Sequence, residues 1–250
     1  MIVRDEESSI GACLQSVVDF VDEIVIVDTG SVDNTVSIAE EFGAKVFKIS
    51  WPGDFAPARN EALKLVNGDW VLVLDADEKF RDEAIYEIQN IISRNEVLLV
   101  NLLRYEVGSL ISPYSTVSRL FRNHPKIHWS RPYHSMVDDS INELLLDEPW
   151  WRVVNCSEPA LIHVGYQPDA IKKGTKAKRL RTAMEKSLLE NPNDPYVSAK
   201  LGALEISEGY LQKGLDILMN GLSHIEHSLN HINERYELLL HLGIGLSSID

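Results

Sequence analysis

Apolar positions recur at helical spacing early in the chain: Ile10, Cys13, Leu14, Val17, Val18 and Val21 predict a first helix. The next run, Ile24-Val25-Ile26-Val27, is β-branched and does not alternate, the mark of a strand buried on both faces. Asp28-Thr29-Gly30-Ser31 breaks it. A helix follows over 34–42, stopped by Gly43, and then a strand over 45–49. The unit repeats: a helix over 56–66, a stop at Asn67-Gly68, an apolar strand over 70–74, and an amphipathic helix over 82–93. Ile85, Ile88, Ile91 and Ile92 share one face of that last helix. Residues 96–106 read as a strand pair or one long strand. Strands and helices alternating at this spacing predict an α/β fold, a parallel Rossmann-like sheet with helices on both faces. Such sheets bind ligands beyond the carboxyl ends of their strands.

From Gly108 to Val164 the period is lost, and five prolines and three of the five tryptophans fall here. Short strands and loops covering the sheet edge are expected, where a pocket could form. After Tyr166 the pattern is helical. Asn191-Pro192-Asn193-Asp194-Pro195-Tyr196 opens a helix pair with Leu201, Gly202 and Leu204 in its first member, Gly209-Tyr210 in the turn, and Gly214, Leu215 and Leu218 in the second. That spacing resembles one tetratricopeptide repeat, of period ~34 residues. A helix over 233–249 looks like the opening of the next. Repeat arrays need roughly three units to bury their own faces. The tail is therefore expected to lean on the rest of the chain, to pair with another protein, or to be a fragment. The brief strand Met1-Ile2-Val3 raises the same expectation of a chain cut short at its front. The expected division is 1–166 for an α/β domain and 167–250 for a small all-α tail.

Length, 250 residues, suits that division, and 44% apolar with 25% charged residues is ordinary for a globular protein. The formal net charge of −14 argues against nucleic-acid and anionic-membrane partners, which ask for cationic patches. The basic stretch from Lys172 to Arg179, with Arg181 beyond, reads as a solvated helix face. Cys13 and Cys156 make neither a disulfide framework nor a zinc site, which suits a reducing cytoplasm. No signal peptide is visible, and no apolar run approaches the ~20 residues of a membrane span.

Candidate chemistry sits at strand ends. Asp75-Ala76-Asp77 directly follows five apolar residues and precedes Glu78. Two carboxylates two apart at a strand end can reach one mouth, where Mg²⁺ or Mn²⁺ takes oxygen ligands. Asp28 ends the Ile24–Val27 run and could accept from a ribose hydroxyl or a base N–H. Asp33 or Asn34 is better explained as a cap of the next helix.

Four blocks in order carry a resemblance: Met1-Ile2-Val3-Arg4-Asp5-Glu6-Glu7, Val25 to Ser31, Ala58-Arg59-Asn60-Glu61-Ala62-Leu63, and Gly68-Asp69-Trp70 leading into Leu72 to Glu78. Together they resemble glycosyltransferase family 2, over residues 1 to about 165, and the tail resembles a bacterial subgroup that joins such a domain to tetratricopeptide-like repeats. The resemblance implies the GT-A fold and inverting transfer from a nucleotide-diphosphate sugar, usually UDP-linked. It implies that the first strand, at Val3, and Asp28 hold base and ribose, with Arg59 near the nucleotide. Asp75 and Asp77 would handle ribose, diphosphate and metal. Leu161-Ile162-His163-Val164-Gly165-Tyr166 matches a histidine block of the subgroup, which makes His163 a candidate third metal ligand. The subgroup has a glutamate after the histidine corresponding to His134, where this chain has Ser135. The base that takes the acceptor proton is then sought among Asp138, His134 and Asp139. Trp129 is a candidate for stacking on a sugar or base. A nucleotide-sugar donor and an acceptor of unassigned kind, glycan, peptide or protein, are expected, with the helical tail as a candidate surface for a protein partner. The alternative is a catalytically weak or inactive nucleotide-sugar-binding module. A nucleotidyltransferase ranks last, because Arg4-Asp5-Glu6-Glu7-Ser8 is acidic and has no glycine.

Overall fold

A computed structural model describes residues 1–108, 113–131, 135–164, 170–225 and 232–247, with side chains described except at 170–177, 179, 232 and 233. His134 lies outside the described residues. The chain forms two compact units, Met1–Pro168 and Asp169–Asp250.

The first unit begins with a parallel sheet in the order β1 (Ile2–Val3), β2 (Val25–Asp28), β3 (Lys45–Lys48). All four β2 residues are buried, as the unbroken β-branched run requires. Helices α1 (Ile10–Gln15) and α2 (Thr35–Glu41) contribute Ile10, Leu14 and Ala39 to a core with Val3, Ile26 and Ala76. The first helix stops six residues short of Val21. Ser16 Oγ bonds the Cys13 carbonyl at 2.6 Å and receives the Phe80 N–H at 3.0 Å, and turns follow. Helix α3 (Phe55–Leu63) is capped by Asp54, which accepts from the Ala56 N–H at 2.9 Å.

The second sheet departs from the expected parallel arrangement. Its order is β4 (Trp70–Leu72), β7 (Tyr114–Arg122), β6 (Val97–Glu106), β8 (Arg152–His163), β5 (Glu78–Phe80), and only β6 and β8 run parallel. The stretch expected to hold short strands and loops supplies both long strands β7 and β8 and helix α5 (Asp138–Asp147). Helix α4 (Ile85–Ile92) packs Ile88 and Ile91 with Val100, Leu102 and Leu120. Helix α5 packs Ile141 and Leu144 with Leu98, Leu99 and Phe121. Leu99↔Phe121 and Val100↔Leu120 are successive pairs, so the two helices cover opposite faces of the sheet. The register then jumps to Asn101↔Ser118, which leaves Arg119 as an extra residue on β7. Such bulges re-aim side chains.

The second unit contains α6 (Ala170–Glu190), α7 (Pro195–Ser207), α8 (Leu211–Ser223) and α9 (Ile232–Ser247). Asp194 caps α7 by accepting from the N–H groups of Tyr196 and Val197, with Pro195 in the first turn. Helices α7 and α8 form the repeat-like pair, brought close by Gly202 and Gly214. A Cβ on Gly214 would stand 2.6 Å from Ile206 Cγ1 and 2.7 Å from the Gly202 carbonyl oxygen. Gly214→Val is therefore expected to destabilise this unit by about 3 kcal/mol through overpacking; urea titration followed by circular dichroism measures it, and an unchanged midpoint would refute the tight fit. Buried Glu205 receives Arg181 Nε at 2.8 Å and Lys213 Nζ at 3.0 Å. Among the described residues, no helix is long and apolar enough to cross a membrane.

Candidate active site

The Asp75-Ala76-Asp77 turn links β4 to β5, and Ala76 packs into the core beside β1 and β2. Glu78, fully buried, ties the turn together: its N–H donates to the Asp75 carbonyl at 3.0 Å, and its carboxylate receives the Asp75 N–H at 2.9 Å. The two aspartates then part. Asp75 lies between two guanidiniums, with Arg59 Nη2 at 2.6 Å and Arg119 Nη2 at 2.8 Å. The bulge on β7 aims Arg119 there, and the one-turn advance of α3 past Asp54 brings Arg59. Burial raises the Asp75 pKa, but the charges of Arg119 and then Arg59 outweigh it and hold the carboxyl well below its usual range. Burial, with help from the Arg119 charge, lowers Arg59 to about 10. Arg59 Nε is buried and has no hydrogen-bond partner among the described residues.

Asp77 turns toward β8, where its Oδ2 lies 3.2 Å from His163 Nε2. The other imidazole nitrogen, Nδ1, meets Glu106 Oε2 at 2.6 Å. Register explains the alignment, since His163 stands opposite Glu78 on one side and Glu106 on the other. Arg104 closes the chain of contacts, donating to Glu106 Oε1 at 2.8 Å and Glu78 Oε1 at 2.7 Å. Ser115 also donates to Glu106. The hydrogen bond to Asp77 raises the His163 pKa, against burial and with the bond to Glu106. Sequence reasoning singled out Asp75, Asp77 and His163 but not Arg104, Glu106 or the role of Arg119. The available signal was a charged pair at alternate positions of an otherwise apolar strand, Arg104 and Glu106, which share one face.

Val3 and Asp28 stand opposite each other at the ends of β1 and β2. The Val3 carbonyl accepts from the N–H and the hydroxyl of Thr29, both at 3.0 Å. The Asp28 carboxylate, 2% exposed, accepts from the N–H groups of Gly30 at 3.2 Å and Ser31 at 3.1 Å, and so closes its own turn. Gly30 has φ of 107°, a conformation that favours glycine. Trp129 is buried under Arg59, whose guanidinium carbon lies 4.6 Å from the ring centre, so its face is spent on packing. Asn60 holds the same residue by its backbone, donating to the Trp129 carbonyl at 2.9 Å and accepting from its N–H at 2.8 Å. Arg59 and Asn60 thus join the Asp75 cluster to the loop that leads into α5.

The first turn of α5 carries two of the candidate bases. Asp138, the first residue of α5, accepts from Ser118 Oγ at 2.8 Å. Asp139 is held by Arg131 Nε at 3.0 Å and by Ser130. Burial raises its pKa, but the hydrogen bonds from Arg131 and Ser130 prevail and lower it.

The sequence profile described as Glycosyl transferase family 2 matches residues 1–152. The chain is 43% identical over 244 residues to a TPR repeat-containing protein of Synechococcus elongatus, covering 98% of this chain and 60% of that relative's length. Its fold is similar to that of S. aureus TarS 1-349 in complex with UDP-GlcNAc, with a TM-score of 0.58 at 16% identity over 99% of this chain and 89% of that one. It is also similar in fold to glucosyl-3-phosphoglycerate synthase from Mycobacterium tuberculosis in complex with Mg²⁺ and uridine-diphosphate, with a TM-score of 0.51 at 14% identity over 74% and 76% of the two chains.

Proposed function

The chain belongs to glycosyltransferase family 2, and from that premise we propose that it moves a sugar from a UDP-linked donor to a glycan, peptide or protein acceptor, with inversion. The observation that carries this reading is the parting of Asp75 and Asp77, one carboxylate between two guanidiniums and the other beside an imidazole. Arg59 and Arg119 are the guanidiniums that a diphosphate would meet at the Asp75 end of the turn. Val3 and Asp28, at the neighbouring strand ends, take the base and ribose. The solved relatives in fold, one described with UDP-GlcNAc and one with Mg²⁺ and uridine-diphosphate, support the donor class.

Asp77 and His163 are the residues that would hold Mg²⁺ or Mn²⁺. Their facing atoms are 3.2 Å apart, close to the ~3 Å edge between adjacent ligands of an octahedral site. Glu106 fixes the imidazole from behind, as partners of metal-bound histidines do. Among the described residues, no three His, Cys, Asp or Glu side chains form a ligand group. Two protein ligands suit an ion that shares its shell with phosphates and water. When bound, the ion would offset the charge that builds on the diphosphate. Asp75, engaged by its arginines, serves here as their anchor.

Asp138 is the proposed base. It takes the acceptor hydroxyl proton as that oxygen attacks the anomeric carbon and the donor diphosphate departs. Arg131 and Ser130 restrain Asp139 from that task. The second reading, a weak or inactive binding module, draws on Ser135 in place of glutamate.

Screening UDP-sugars for hydrolysis with Mn²⁺ across pH separates the two. His163 is protonated more readily than an ordinary histidine, so its contribution to folding is full below the usual histidine pKa and is lost as pH rises through the raised one. Cation binding needs that proton gone, so hydrolysis should rise with pH through the same window. Hydrolysis of no UDP-sugar at any pH, with UDP still bound, would favour the module.

A further inference from the structure

The Glu78–His163–Glu106 row has a neighbour one residue along the strands. Lys79 stands opposite Ile162, Ile162 beside Tyr105, and Tyr105 opposite Tyr114, so a single row crosses β5, β8, β6 and β7. Successive strand residues point to opposite faces, so this row points away from the place where Asp77 and His163 meet. All four residues line one cleft of about 850 Å³. The cleft also takes in Phe20, whose ring stacks on Phe80 at 4.8 Å, and so reaches round the edge strand β5. None of these residues belongs to the proposed donor site.

The lining decides what the cleft suits. Tyr105 and Tyr114 are 38% and 50% exposed, and their ring centres are 5.5 Å apart. Each presents an apolar face with a polar tip. Around them lie Gln15, Asp19, Asp82 and Glu83, with Lys79 and Arg81. Three carboxylates face two cations, and Arg81 is already engaged by the Pro159 carbonyl at 3.1 Å and by Glu83 at 3.4 Å. That balance disfavours an anion. A peptide strand added to the β5 edge is disfavoured too. The Glu78 and Phe80 N–H groups are already bonded to the Asp75 carbonyl and Ser16 Oγ. A neutral polyol suits the rest, with C–H faces on the rings and hydroxyls on carboxylates and amide. The volume lies within the few hundred to about 1,000 Å³ of small-molecule sites.

We propose that this cleft binds a neutral saccharide, at a site separate from that of the UDP-linked donor. The test is calorimetry on the 250-residue chain with chitotetraose, maltotetraose and cellotetraose, on wild type, Tyr105→Ala, Tyr114→Ala and Asp77→Ala. At least one saccharide is expected to bind, with each tyrosine variant weakening it about tenfold. UDP binding should survive the tyrosine changes, and saccharide binding should survive Asp77→Ala. Should a tyrosine variant fail to fold, Lys79→Ala, at an exposed position of the same row, replaces it, and weaker binding is again expected. The proposal is overturned if none of the three binds at millimolar concentration. It is equally overturned if binding persists unchanged in the tyrosine and lysine variants or disappears with Asp77→Ala.

Discussion

Replacing Glu78 with alanine is expected to lower the thermal midpoint of the first unit by about 10 °C, the sum of a cost near 3–5 kcal/mol. Glu78 is fully buried and joins two parts of the site. One carboxylate oxygen receives the Asp75 N–H and the other the Arg104 guanidinium. Alanine leaves Arg104, itself only 17% exposed, with Glu106 and the Ser115 hydroxyl, and frees the backbone N–H that shapes the Asp75-Ala76-Asp77 turn. Breaking a buried pair from one side is costly because the remaining charge stays out of water. Glu78→Gln keeps the acceptor but removes the charge, so its loss should be smaller. Differential scanning calorimetry reads both. A midpoint for Glu78→Ala within a degree or two of wild type would mean that the network does not support the fold.

Asp138→Asn is expected to cut sugar transfer or donor hydrolysis by about 10²–10⁴-fold while leaving UDP affinity unchanged. The asparagine keeps the size and the bond with Ser118 and removes only the capacity to take a proton. Asp139→Asn serves as the contrast. Its carboxylate is committed to Arg131 and Ser130, so its loss should affect stability before turnover. Measuring initial rates and UDP affinity on both variants separates the roles. Equal losses in the two, or a rate for Asp138→Asn within a few-fold of wild type, would move the base elsewhere.

The α/β units up to β3 were legible in the sequence because β2, buried on both faces, leaves an unbroken apolar run. The strand carrying Trp70 was equally plain. The direction of pairing beyond it was not, because periodicity records burial and says nothing about which strand lies alongside. Strand β7 hid for a different reason. Ser115, Ser118, Arg119 and Arg122 interrupt its apolar pattern, and three of them serve the site or the polar bonds around it. Helix α5 did carry a signal, Val137, Ile141 and Leu144 behind an acidic first turn, which the prolines and tryptophans around it obscured. In the site, Asp75, Asp77 and His163 stood out through strand-end position and family blocks. Arg119 could not, since only a register jump brings it to Asp75.

If the Asp75-Ala76-Asp77 turn and His163 form a metal-assisted site for a UDP-linked donor, calorimetric titration of UDP with and without Mn²⁺ into wild type and Asp77→Ala reads it out. Mn²⁺-dependent binding is expected in wild type, and in Asp77→Ala loss of the Mn²⁺ dependence with the fold intact by circular dichroism. Binding of equal strength with and without Mn²⁺, unchanged by Asp77→Ala, would contradict it.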